Sequence, residues 1–174
     1  MGAGIDGVFT LSISLMWAQQ VSVELAILIG GSILAARRLS EMLVAPFAGM
    51  IADKYSSRPP LTIAVVASIC GFALVGFNWL LAGSLLLVLA RGAMGTLFAV
   101  AVTKIYRESK VTALARNQTW RDIGAAAGPL VAGFALTIVS PELLHIGLAL
   151  AFSFAFLWFL CSPGWQALSS KTQV

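Results

Sequence analysis

The chain has 174 residues, of which 59% are hydrophobic and only 10% charged, with a mean hydropathy of +0.94. A soluble domain carries roughly 25% charged residues, so no aqueous core could hold this much apolar surface, and the composition excludes a soluble catalytic domain. The net charge of +4 falls mainly between apolar segments, which points to membrane topology and not to nucleic acid.

The expected fold is all-α, a polytopic membrane protein of six transmembrane helices. The segments cover roughly 7–20, 25–52, 61–80, 84–103, 118–139 and 143–160, and most reach the ~20 residues that cross a bilayer as a helix. They form one bundle over 1–162, followed by a cytoplasmic tail over 163–174. The N-terminus lacks the basic start of a secretory signal. Asp6 occupies the position where a myristoylation site needs Ser or Thr.

The second segment is long enough to tilt, or to begin as a re-entrant turn around Gly30–Gly31. It carries Arg37, Arg38 and Glu41. Arg37 and Glu41 are four apart and pair on one helical face, while Arg38, about 100° round the helix, needs a partner of its own. Charges at membrane depth usually face a cavity. If the segment begins later, the arginines instead snorkel to the interface. Residues 49–58, GMIADKYSSR, then lead into a basic loop before the third segment.

The fourth segment contains Arg91 within the run Leu87 to Gly95. An arginine there costs roughly 2.5–3.5 kcal/mol on insertion scales and needs a carboxylate, carbonyls or water. Arg121 and Asp122 open the fifth segment. Asp122 is either an ion-pair partner for an arginine of segment two or four, or a protonatable carboxylate. The same segment continues with small residues at Gly124, Gly128 and Gly133, which let helix backbones approach, and with Pro129, which permits a kink. The sixth segment ends in the Ser162-Pro163-Gly164 break.

Orientation follows from the basic residues. Lys54, Arg58, Lys104, Arg107, Lys110, Arg116 and Lys171 fall at alternate connections, whereas the loops near Ser22, Asn78–Gly83 and Ser140–His145 have neither Lys nor Arg. Both termini are expected in the cytoplasm, and the chain in a membrane of the bacterial inner (plasma) type. The acceptor pattern Asn117-Gln118-Thr119 then lies on the wrong side for glycosylation. Cys70 and Cys161 sit in or beside different apolar segments and define no disulfide framework. The single histidine, His145, is placed in an outward-facing loop. Without a Cys/His cluster or a phosphate loop, neither enzyme activity, a metal site nor a cofactor is expected.

Three of these stretches resemble signatures of the major facilitator superfamily, in that family's order. Gly49-Met-Ile-Ala-Asp53-Lys54-Tyr-Ser56-Ser57-Arg58 is similar to the loop G-x-x-x-D-R/K-x-G-R-R/K, with Ser56 and Ser57 replacing a Gly and an Arg. Leu87-Val-Leu-Ala-Arg91-Gly-Ala-Met94-Gly95 is similar to the fourth-helix pattern, with Met94 where Gln is usual. Gly124-Ala-Ala-Ala-Gly128-Pro129-Leu-Val-Ala132-Gly133 is similar to the fifth-helix pattern, with Ala132 replacing a Gly.

The resemblance implies one six-helix half of a secondary transporter working by alternating access. Gly49, Asp53, Lys54 and Arg58 would form a gating latch. Arg37, Arg38, Glu41, Arg91 and Asp122 would supply substrate or coupling contacts, with the proton carried by Glu41 or Asp122. Gly95, Gly124, Gly128, Pro129 and Gly133 would serve packing and kinking. Such halves come in pairs with the site between them, so the implied partner is a second six-helix half, either a copy or a separate chain. The alternative is a non-transporting structural or assembly subunit of a larger membrane complex.

Overall fold

The computed structural model describes residues 7–54, 56–106 and 108–168, and these residues are all-α, with no strand. Six main helices run in chain order: α1 Thr10–Ala18, α2 Val23–Lys54, α3 Arg58–Gly76, α4 Leu80–Ile105, α5 Lys110–Ala135 and α6 Pro141–Leu160. A short α7, Pro163–Ala167, follows. The segment predicted as a tail therefore begins as helix.

Of the six segments expected to cross a membrane, three are long and apolar enough to do so among the described residues: α3, α4 and α6. The others depart for separate reasons. α1 has only nine residues after a π turn at 7–9. α2 has 32 residues, about 48 Å of helix, but Arg37, Arg38 and Glu41 interrupt its middle. α5 carries Lys110, Arg116, Arg121 and Asp122 in its first half.

Element ends follow local chemistry. α6 starts at Ser140, whose side chain accepts a hydrogen bond from the Leu143 amide, with Pro141 and Glu142 in the first turn. Asn78 takes φ 65° in the α3–α4 turn, a conformation asparagine tolerates. α5 begins eight residues before the predicted position because Ala113, Leu114, Ala115 and Arg116 are good helix formers that continue beyond the apolar run. α2 passes unbroken through Gly30–Gly31, so no re-entrant turn exists. Gly30 is buried against Ser14 of α1, which holds this part of α2 as packed helix.

The core lies among α1, α2, α3, α4 and α6, around Phe9, Ile13, Met16, Phe72, Leu87 and Leu97. α3 and α4 form a tight hairpin, α6 packs on α3 with Phe72 and Phe152 rings 5.3 Å apart, and α2 crosses α4. α5 is held more loosely: among the described residues of this helix only Gly128 and Ala132 are buried, one turn apart on a single stripe.

The pairings have only a partial internal order. Exchanging the first three helices with the next three carries α1·α5 onto α4·α2, carries α1·α2 onto α4·α5 and leaves α3·α6 in place, but the α3·α4 hairpin has no counterpart of similar extent between α6 and α1. Both members of the first pair cross at close range. A Cβ on Gly92 of α4 would stand 2.7 Å from the Ser40 carbonyl oxygen of α2, and one on Gly7, before α1, would stand 2.5 Å from the Gly128 Cα of α5.

Candidate functional site

The Ser40–Gly92 crossing brings Glu41 beside Arg91, because each is the neighbour in sequence of a crossing residue. Glu41 is the shared anion of three guanidinium groups. Arg38 Nη1 lies 3.0 Å from Oε2, Arg37 Nε 3.5 Å from Oε1, and Arg91 Nη2 3.8 Å from Oε1. The expected Arg37–Glu41 pair is present. Arg38 needs no separate partner, contrary to expectation, because an i,i+3 spacing also brings helix side chains together.

Burial grades the three arginines. The side chains of Arg37 and Arg91 are 9% and 11% exposed, that of Arg38 75%. Arg37 also donates from Nη1 to the Thr10 hydroxyl of α1 at 3.3 Å. These four charged groups sum to +2, in a chain whose exterior is largely apolar. The three arginines line a cavity of about 620 Å³ bounded also by Thr10, Leu34, Arg121 and Asp122. Its walls come from α1, α2, α4 and α5.

Asp122 does not pair with an arginine of α2 or α4. It accepts from Gln118 Nε2 at 3.0 Å and lies 3.7 Å from Arg121 Nε, both on its own helix. With its side chain 61% exposed, it stands at the cavity mouth rather than within the arginine cluster.

The residues expected to form a latch lie together at one end of the bundle, with only 55–57 between α2 and α3. The Asp53 side chain is outside the described residues. Lys54 is exposed in the last turn of α2, and Gly49 approaches Thr96 of α4. Arg58 has a partner that the sequence did not reveal. It donates from Nε to the Trp165 carbonyl of α7 at 2.9 Å and from Nη2 to the same oxygen, and its guanidinium lies 4.9 Å from the Trp165 ring centroid. That ring packs edge-on against Phe156 and Phe159 of α6. At the same end Lys104 donates to the Ala52 carbonyl at 2.9 Å, so two cations that mark topology also satisfy terminal carbonyls.

The small residues divide. Gly128 and the Pro129 nitrogen meet Gly7 at the α1–α5 crossing, and α5 runs on through Pro129 as one helix. Gly124 is half-buried. Gly133 has open space around it, and Gly95 meets only the Arg91 side chain, so the α4 crossing uses Gly92 instead.

His145 is the further correction. It belongs to the second turn of α6 and is fully buried, with its ring 6.0 Å from that of Phe72. Its Nε2 lies 3.3 Å from Ser12 Oγ and its Nδ1 2.7 Å from the Pro141 carbonyl. The signal was available: Ser140-Pro141-Glu142 is a helix start, which puts residue 145 inside the helix. No group of three or more His, Cys, Asp or Glu able to hold a metal occurs among the described residues. Compared with known proteins, the chain has no matching family model, no matching curated protein and no matching solved structure.

Proposed function

We propose that this chain is one half of a secondary transporter of the major facilitator type, moving a small anionic or zwitterionic solute by alternating access. A second six-helix half closes its charged face. The observation that carries the reading is the Glu41 carboxylate shared by Arg37, Arg38 and Arg91, three arginines that line a cavity of about 620 Å³. Three guanidiniums around one carboxylate favour an anionic or zwitterionic solute. Such charges at membrane depth need protein or water around them, not lipid.

The test combines assembly with uptake. The full chain, extracted in mild detergent, is expected to run as a twelve-helix species, either a dimer or a one-to-one complex. Membrane vesicles containing it are expected to accumulate a member of a panel of labelled small carboxylates, phosphate and amino acids. Arg91→Gln would abolish that uptake while leaving assembly intact. A monomer fully active alone would sink the proposal.

A second reading has one observation in its favour. On α5, Gly133 stands open beside the exposed Leu130, Val131 and Phe134, a surface suited to packing another membrane helix. A non-transporting subunit of a larger membrane complex would use that face. Its mark would be stable co-purification with that complex, lost on Gly133→Leu, with no uptake by the vesicles.

A further inference from the structure

His145 is the chain's one histidine, and the contacts around it contain one hydrogen too few for a neutral ring. Three short contacts form a line: His145 Nδ1 to the Pro141 carbonyl at 2.7 Å, His145 Nε2 to Ser12 Oγ at 3.3 Å, and Ser12 Oγ to the Val8 carbonyl at 2.8 Å. A carbonyl oxygen only accepts. The Pro141 contact therefore places a hydrogen on Nδ1, and a neutral imidazole then has none on Nε2. The single Ser12 hydrogen serves either Val8 or Nε2, never both. Two hydrogens are shared among three contacts.

One added proton completes the line. With Nε2 protonated, Nδ1–H donates to Pro141, Nε2–H donates to Ser12 Oγ, and the Ser12 hydroxyl donates to Val8. We propose that Ser12 and His145 form a proton-binding latch between α1 and α6, fastened when the imidazole is charged and loosened when it is neutral. The proton comes from water, binds the Nε2 lone pair, and leaves by the same bond breaking. No other bond changes.

Few charged groups approach the ring. α1 brings no ionisable side chain among its described residues, only the Ser12 hydroxyl. α3 brings the Phe72 ring, its only charged residue being Arg58 at the far end of the helix and its one thiol, Cys70, lying exposed. On α6 itself the nearest charged group is Glu142, three residues before His145. Mechanically, the latch joins unlike partners. α6 is fixed to α3 through Phe72, Phe152 and the Gly76–Ile146 approach, whereas α1 is a wall of the cavity, with Thr10 on Arg37. In the transporter proposed above, on which this role rests, the proton on His145 is the coupling ion, and its loss frees α1 to move.

A single histidine makes the test direct. The full chain, labelled with ¹⁵N-histidine and held in lipid nanodiscs, is followed by NMR while hydrogen exchange of the α1 amides is measured across the same pH series. The ring is expected to pass from the Nδ1–H neutral form to the doubly protonated form as the pH is lowered through the series. Exchange in α1 should slow roughly tenfold or more over the same interval, as a charge-assisted bond forms. In Ser12→Ala the ring should still titrate while α1 exchange no longer follows it. A ring that stays neutral, or α1 exchange indifferent to the titration in the unaltered chain, overturns the latch whether or not the variant folds. If ring and exchange behave as expected but no vesicle shows proton-driven uptake, the latch stands and the transport reading falls.

Discussion

Ser40 and Gly92 touch backbone to backbone where α2 crosses α4, with the Ser40 hydroxyl donating to the Val88 carbonyl at 2.9 Å and no room for a Cβ on Gly92. The Arg91–Glu41 contact depends on this approach, because Glu41 and Arg91 are the neighbours of the crossing residues along their helices. A methyl group at 92 must separate the helices or push Ser40 off Val88. Gly92→Ala is therefore expected to cost about 1–3 kcal/mol, the usual penalty for overpacking a close contact, despite alanine's better helix propensity. Thermal unfolding in detergent, followed by helical circular dichroism, would check it; an unchanged midpoint would show that the crossing is looser than described.

The α1–α5 crossing allows a sharper comparison, since two glycines of the bundle have opposite surroundings. A Cβ at Gly7 would meet the backbone of Gly128 at 2.5 Å, whereas Gly133 has open space. Gly7→Ala is expected to destabilise, and Gly133→Ala to stabilise by up to about 1 kcal/mol, the helix-propensity difference alone. Measuring both in the same detergent removes the uncertainty of the reference state. Equal effects would contradict the crossing.

At the other end, Arg58 ties α3 to α7 through the Trp165 carbonyl and ring. A charge-assisted hydrogen bond contributes about 1.5–3 kcal/mol and an exposed cation–π contact about 0.5–1 kcal/mol. Partial exposure of Arg58 lowers the sum. Arg58→Ala should release α7, making the chain near Trp165 several-fold more sensitive to limited proteolysis while leaving the bulk of the helix signal unchanged. Arg58→Lys should restore little of this, because an ammonium cannot present the planar guanidinium face to the ring. An identical cleavage rate in all three proteins would remove the clamp.

The all-α bundle was legible because long apolar runs alternate with Lys, Arg, Pro and Asn at their ends. Arg37, Arg38 and Arg91 stand out in the sequence because charges inside long apolar runs are few, and all three line the cavity. What escaped was decided by tertiary contact or by helix starts read too late. Nothing local distinguishes Gly92 from Gly95 as the crossing residue of α4; the choice depends on which side Ser40 arrives from. The polar residues 110–117 hide the start of α5, since charge conceals a helix from a hydropathy reading though not from propensity. His145 lies at the edge of the sixth apolar run, and Ser140-Pro141-Glu142, with proline in the first turn, opens the helix before that run begins. The partner of Arg58 lies 107 residues along the chain, and no spacing rule reaches it.

Glu41 and Arg38 separate a cluster's anchor from its outlying member. Removing the Glu41 charge takes from Arg37 and Arg91, both largely buried, the carboxylate they share. Breaking a buried ion pair costs about 3–5 kcal/mol, and the partial exposure of Glu41 reduces this, so Glu41→Gln is expected to lose about 2 kcal/mol. Arg38, three-quarters exposed, belongs to the class of surface pairs that contribute about 0–1 kcal/mol, and Arg38→Ala should be nearly neutral. The double variant Glu41→Gln with Arg91→Gln should recover part of the loss, because it deletes one of the cations that share Glu41 along with the carboxylate itself. Unfolding midpoints of the four proteins give the coupling directly. Additive losses would mean that Arg91 is satisfied elsewhere and that Glu41 does not hold the cluster together.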